Sequence, residues 1–374
     1  MKVLLTATVQ SHICQFHKPL VEMLHAHGCE VHVAARDNLA EKNGLKLDFV
    51  EQVFDVPFAR SPKSPDNILA YQQLKRIIDK GNYDVVHCNT PMGGIVTRLA
   101  AREARKQGTK VFYTAHGFHF YKGAPKKNWM VYYPIEKYFA PLSDKIITIN
   151  YEDYELAKAH FSCPAYHIHG AGVDENRYHE LPQECRTACR AQFDLEKGEF
   201  IILCVGELLP NKNQMMVIQA VHQLVAQYPQ IRLLLAGNGP QKDALESYIQ
   251  EHGLTQNVRL LGYCTNLEEY QCAADLGVSC SIREGLGINM IEAMLSGNPV
   301  IATINRGHSE LIQNGKNGFL VKIHDVNELA NKIEQLIRTP KLRESMRQIG
   351  LTVAKAYTQE NVKKELEQIY FEEY

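Results

Sequence analysis

One stretch carries more chemistry than any other in the chain. An apolar run through Cys280 gives way to Arg283-Glu284-Gly285-Leu286-Gly287 and then to a helical pattern that contains Glu292. Glycines at a strand-to-helix turn let backbone amides approach a ligand closely. The first turn of the helix adds free N–H groups and the positive end of its dipole, which suit an anion. Two carboxylates there do not suit phosphate. Helical side chains tilt toward the N-terminus, so Glu284 in the loop and Glu292 one to two turns on can reach one pocket and accept hydrogen bonds from sugar and ribose hydroxyls. An exposed loop glutamate and a helix-surface glutamate give the same spacing without any ligand.

Other strand ends offer further polar groups. VGELLPNKNQ places Lys212 at the start of a helix, where a cation can meet a diphosphate, although a solvated lysine fits the same position. YTAHGFHFYKGAP carries His116 and His119 around Gly117, which permits a sharp turn. In TVQSHICQFHKPL, Ser11 and His12 precede a helix expected to begin near Pro19, so they either contact diphosphate or acceptor or, for Ser11, cap that helix. Gly237-Asn238-Gly239 reads as a turn on the nucleotide side, though it lacks the full dinucleotide spacing. The acidic clusters YEDYE and DVNE read as solvated helix starts, and no ligand set for a metal is expected.

These groups need elements to hold them, and the pattern supplies strands alternating with amphipathic helices from end to end, as in parallel sheets with crossover helices. The first series is KVLLTAT, CEVHVAA, DVVHCN, KVFYTAH, KIITIN and AYHIHG. A second restarts with FIILCVG and continues through IRLLLAG, VRLLGY, LGVSCS, PVIAT and GFLV. Residues 172–198 show no strong strand pattern and are placed as the hinge. This predicts an N-terminal domain over 1–175 and a second domain over 176–357. A final helical stretch over 358–374 has Val362, Leu366, Ile369 and Tyr370 on one stripe, which either completes the second domain or crosses back onto the first.

Bulk properties narrow the class. The chain has 374 residues, too many for one core and suited to two. A net charge of −1 gives no field that would gather nucleic acid. The start MKVLLTATVQSHI is interrupted by polar residues too early for a signal peptide, and no stretch approaches the roughly 20 apolar residues of a spanning helix. Ten cysteines without a paired C-x-x-C arrangement suit a reducing cytoplasm rather than zinc or disulfides.

Around the segment with Glu284 and Glu292, and over nearly its whole length, the sequence resembles family 4 of the glycosyltransferases, retaining GT-B enzymes with a Glu-x7-Glu signature. The resemblance implies a fold of two Rossmann-like domains with a cleft between them. It implies that Glu284 contacts the donor sugar and Glu292 the ribose, with the amides of Gly285, Leu286 and Gly287 serving sugar or diphosphate. Lys212 matches the family's diphosphate lysine, His116 its histidine near the reacting carbon, and Tyr263 and Cys264 the segment that borders the base. The family's usual arginine after the glycine of the Lys212 loop is here Glu207, with Arg283 as a substitute cation. The family also tends to have glycines where Ser11 and His12 stand.

RSPKSPDN, HCNTPMGG, YTAHGFHFYKGAP, INYEDYELA and ATINRGHSELI resemble the bacterial capsule and exopolysaccharide subgroup. That implies a UDP-hexose or UDP-HexNAc donor, a polyprenyl diphosphate-linked acceptor, no metal or cofactor, and a protein held at the inner face of the cytoplasmic membrane. The lysines of Tyr121–Trp129 beside the chain's one tryptophan are the expected membrane contact. A nucleotide-sugar 2-epimerase and an inactive sugar-nucleotide-binding protein are the alternatives of similar plan.

Overall fold

A computed structural model describes residues 1–42 and 44–372. They form two compact units, one of Met1–Gly172 joined by the segment from Gln359 onward, the other of Val173–Thr358.

The first unit is built on β1 (Lys2–Val9), β2 (Glu30–Arg36), β3 (Gln52–Asp55), β4 (Val85–Asn89), β5 (Lys110–Ala115), β6 (Lys145–Thr148) and β7 (Ala165–His167). Their order is β3-β2-β1-β4-β5-β6-β7, and every neighbouring pair is parallel. Central parallel strands are covered on both faces, so they require apolar side chains in unbroken succession. β1 shows this, with Val3, Leu4 and Leu5 fully buried. The edge strand β3 reads QVFD and leaves three of its four residues exposed, so it lacks the apolar run by which the other six strands are legible.

The helix Gln359–Phe371 buries Val362, Leu366, Ile369 and Tyr370 in the core that contains Val3, Leu5, Leu20 and Leu24 of the first unit. Polar contacts fix it further. Tyr370 Oη lies 2.6 Å from His87 Nδ1, Glu365 Oε1 lies 2.6 Å from His169 Nδ1, and Lys145 donates to the carbonyl of Ile369. Of the stretch expected to be helical, Glu373 and Tyr374 lie outside the described residues.

The second unit holds β8 (Phe200–Val205), β9 (Ile231–Ala236), β10 (Val258–Gly262), β11 (Leu276–Ser279), β12 (Val300–Thr303) and β13 (Gly318–Val321), ordered β10-β9-β8-β11-β12-β13 and parallel throughout. Its core gathers Ile202, Val217, Leu233, Val278, Ile301 and Ile333. The segment taken as a hinge contains a helix, Gln183–Gln192, none of whose residues is buried. Charge holds it instead: Arg186 and Arg190 reach the two carboxylate oxygens of Asp275 at 2.6 and 2.7 Å and also donate to the carbonyls of Ala274 and Ala273. A helix anchored by guanidinium groups leaves little periodic apolar signal.

In both sheets the strand order reverses beside the first strand, at β1/β4 and at β8/β11. Open α/β sheets bind ligands beyond the carboxyl ends of the strands at such reversals.

Candidate functional site

At the β8/β11 reversal two loops are laced together. Ile282 N donates to Asn211 O at 2.8 Å, and Asn211 Nδ2 donates to Arg283 O at 3.0 Å. This brings Lys212 Nζ to 2.5 Å from Glu284 Oε1. Lys212 does not open a helix. It ends the short turn Pro210–Lys212, and the helix Gln214–Val225 begins only after Asn213, which is left-handed at φ 53°. The lysine is therefore held on a tight turn, part-buried, with its ammonium turned to the glutamate.

The helix Ile288–Leu295 starts beyond Gly287, and Asn289 Nδ2 ties its first turn to Val205 O at 3.0 Å. Glu292 sits in that helix but does not share partners with Glu284. It lies beside Tyr178, near Arg177 and Glu268. Burial raises its pKa to about 7, with Glu268 pushing the same way, while Arg177 and Tyr178 oppose the rise. Arg177 is itself engaged by Glu268 at 2.7 Å.

A residue that the motifs did not single out as a contact completes this side. His308 Nδ1 lies 2.8 Å from Thr303 O, and its Nε2 is buried without a partner. A Cβ added at Gly287 would stand 2.9 Å from the His308 ring, and one at Gly307 would stand 3.0 Å from Glu284 Cβ and from the Gly285 carbonyl carbon. Burial lowers the His308 pKa, against the Thr303 carbonyl, so its imidazole is neutral beside the glycine loop. The signal was in ATINRGHSELI, where a glycine stands next to a histidine, but the residues alone do not tell that both press on the Glu284 loop.

Gly237 and Gly239 have a packing role. A Cβ at Gly237 would fall 2.0 Å from Gly206 O and one at Gly239 2.4 Å from Leu208 O, so only glycines let this turn lie against the loop that leads to Lys212. Asn238 O accepts from Leu208 N at 2.8 Å. Tyr263 is exposed and Cys264 is half-buried beside it. Glu207 and Arg283 are exposed, and Arg283 meets the Lys212 turn through its backbone carbonyl.

In the first unit the chain enters a helix directly from β1. It runs Gln10–Phe16 and breaks at His17; the helix expected near Pro19 then follows as Lys18–Ala26, with Pro19 in its first turn. Ser11 is thus inside a helix and caps nothing; its Oγ accepts from Asn38 Nδ2 at 2.9 Å. The break gathers imidazoles. His12 Nε2 lies 3.2 Å from His116 Nε2, and His116 Nε2 lies 3.3 Å from Asn89 Oδ1. His17 packs edge-on to His116 at 5.4 Å between ring centroids, and its Nε2 is buried without a partner. Burial holds His116 at about 4. It also holds His12 well below the usual imidazole range, with His116 and Arg60 adding to the effect. His17 is lowered by burial and then by its histidine neighbours.

His119 stacks on Tyr132 at 4.6 Å and its carbonyl accepts from Asn128, so it braces the loop after His116. The YEDYE cluster is not a solvated helix start throughout. Asp153 is fully buried and its Oδ2 accepts from Phe118 N and Asn150 Nδ2, both at 2.9 Å, which anchors the turn that follows His116. Trp129 is half-buried against Phe120, with Nε1 donating to Tyr121 O at 3.1 Å.

Thr90, at the β1/β4 reversal, was not singled out either. It adopts φ 64° and ψ 152°, unusual for a β-branched residue, and its Oγ1 lies 2.7 Å from Thr8 Oγ1 and takes Thr8 N at 3.1 Å. Such a conformation costs on the order of 1–3 kcal/mol and is found most at functional sites. The only sequence sign was the glycine pair in TPMGG.

Two parallel sheets that both reverse beside their first strand, one ending in a lysine-glutamate-glycine cradle, define a GT-B fold. The comparisons agree. The chain matches the family described as glycosyl transferases group 1 over residues 186–352 and that described as glycosyltransferase family 4 over residues 19–177. It is 42% identical to EpsD of Bacillus subtilis (strain 168) over 372 residues, covering 99% of this chain and 96% of that one. It is 26% identical to the UDP-Gal:α-D-GlcNAc-diphosphoundecaprenol α-1,3-galactosyltransferase of Escherichia coli, over 79% and 78% of the two chains. Among solved structures, HepE of Anabaena in complex with UDP superposes with a TM-score of 0.77 at 22% identity, covering 99% of both chains. The chain belongs to glycosyltransferase family 4.

Proposed function

We propose that this glycosyltransferase moves a hexose or N-acetylhexosamine from a UDP-sugar to a hydroxyl of a polyprenyl diphosphate-linked saccharide, with retention of anomeric configuration, in the making of a capsule or exopolysaccharide. The observation that carries the reading is the Lys212–Glu284 pair beside the glycines at the start of the Ile288–Leu295 helix. A cation, free amides and a helix N-terminus are the groups that stabilise a departing diphosphate, and Glu284 is an acceptor for sugar hydroxyls. Glu292, next to Tyr178, takes the ribose. His116 is assigned the role near the reacting carbon that its match to the family's histidine implies.

Retention follows if the leaving diphosphate oxygen deprotonates the acceptor on the same face, so no protein nucleophile is needed and orientation supplies much of the rate. The transfer itself needs no metal ion. The E. coli relative's lipid-linked substrate supports the acceptor class. No described helix is long and apolar enough to cross a membrane, so the acceptor would be met from the surface. Trp129 is tied into the fold, and the surface for that encounter is instead Lys122, Lys126 and Lys127 with Met130 (76% exposed) and Tyr138 (72% exposed).

The test is a panel of UDP-sugars with an undecaprenyl diphosphate-linked monosaccharide, read by mass spectrometry, with the product's anomeric configuration assigned by NMR. An acceptor-dependent, configuration-retaining product is expected. Epimerisation of the donor in the absence of acceptor would overturn the reading.

A further inference from the structure

We propose that His12, His17 and His116 form a site for a borderline divalent transition-metal ion, Zn2+ being the type, and that occupancy of this site switches the transferase off.

Among the described residues one group of three potential ligands comes together, and it is this one, with ligand nitrogens all within 4.8 Å of one another. Zinc–imidazole bonds of about 2.0–2.1 Å in a tetrahedron set neighbouring nitrogens about 3.4 Å apart. The His12 and His116 Nε2 atoms already stand at 3.2 Å. Two nitrogens that close share either one proton or one cation. The third imidazole offers a ring nitrogen within 4.8 Å of the other two, and it sits at the break between the helices Gln10–Phe16 and Lys18–Ala26.

A second observation points to a ligand. Among the described residues His17 Nε2 is buried and has no partner, and a buried polar atom left unpaired destabilises the fold unless something occupies it. A cavity of about 20 Å3 lies against it, lined by His17, His116, His87 and Thr114, with room for one water. His87 cannot join as a ligand, since Tyr370 and Thr114 hold its two nitrogens at 2.6 Å each. Three neutral imidazoles and no carboxylate suit zinc, copper, nickel or cobalt and exclude magnesium and calcium, which demand oxygen.

The regulatory half of the proposal rests on the reading of His116 as a contact of the donor sugar. A metal-bound His116 Nε2 has no lone pair or proton left for that contact, so metal-loaded enzyme should be inactive while metal-free enzyme turns over.

The experiment begins with chelator-stripped, full-length protein titrated with Co2+ and followed by its ligand-field absorption, then with Zn2+ in competition. One-to-one tetrahedral Co2+ displaced by Zn2+ is expected. His17→Gln and, separately, His12→Gln should each weaken Co2+ binding by more than the roughly 10–100-fold that loss of a mere supporting partner costs, whereas His252→Gln on the second unit should not. In transfer assays Zn2+ should inhibit wild type, and His17→Gln should keep its metal-free rate and resist Zn2+. Absence of one-to-one cobalt binding, or binding unmoved in both histidine variants, would overturn the site. Binding without inhibition would overturn the switch. Failure of the transferase reading shows separately, as no product from stripped wild type, and leaves the cobalt titration to decide the site.

Discussion

Lys212 cannot serve a diphosphate for nothing, because its ammonium is already 2.5 Å from Glu284. An incoming donor has to share or displace that contact, which couples diphosphate binding to the placement of Glu284 against the sugar. Lys212→Ala should lower turnover about 10²–10³-fold, roughly 2.7–4 kcal/mol, with little effect on folding; wild-type kinetics in monodisperse mutant protein would remove it from the mechanism. Glu284→Gln should lower kcat. Glu292→Gln should act on KM instead, because a ribose contact is equal in ground and transition states. Glu292 also makes a prediction in pH. Its folded pKa of about 7 stands above the ordinary 4.5, so its proton favours the fold fully below pH 4.5, and this contribution is lost as pH rises through 7. At pH 8, Glu292→Gln should therefore be more stable than wild type, by up to about 3 kcal/mol, while binding UDP more weakly. Thermal unfolding at pH 5 and pH 8, with and without UDP, checks both signs. Of these residues the two glutamates and the lysine were legible as members of a loop-and-glycine pattern. Their partners were not, because Tyr178 and His308 reach the site only through folding of distant segments.

At the scale of elements, the helix Lys126–Phe139 divides its residues between two tasks. Tyr133 and Trp129 pack inward while Met130, Val131, Tyr132 and Tyr138 face out. Each lysine near an anionic surface contributes about 1 kcal/mol, so changing Lys122, Lys126 and Lys127 together to Ser should weaken binding to anionic liposomes by a few kcal/mol at low salt. Activity on a water-soluble acceptor analogue should persist; co-sedimentation equal to wild type would clear this helix of membrane contact. In the same segment the sequence leaves open whether the tryptophan packs inward. Tryptophan beside lysines reads as an interfacial anchor, yet the Trp129 indole N–H finds the Tyr121 carbonyl and its ring finds Phe120. Strand elements with apolar runs were legible throughout. Elements stabilised otherwise were not, as β3 on its exposed edge and the arginine-anchored helix Gln183–Gln192 show.

At the scale of the whole molecule, two successive Rossmann-like series could be read because parallel strands must be apolar along their full length. EDTA should leave transfer intact, and should raise it in preparations carrying zinc; complete loss restored by Mg2+ or Mn2+ would refute the metal-free mechanism. The amphipathic stripe of Gln359–Phe371 demanded a partner that the stripe itself does not name. Its partner is the first unit, and Leu366→Ala should destabilise that unit by about 2–5 kcal/mol, measurable as an earlier transition in chemical denaturation. This arrangement also sets a timetable for synthesis. When Gly172 leaves the ribosome, the core around Val3, Leu5 and Leu24 still lacks the helix that covers it, and all of Val173–Thr358 must be made first. At about 5–20 residues per second that is a wait of roughly 10–40 s with apolar surface open to solvent. The nascent first unit is thus a natural client for a chaperone, and its fate during those seconds, more than its final stability, should limit the yield of folded protein.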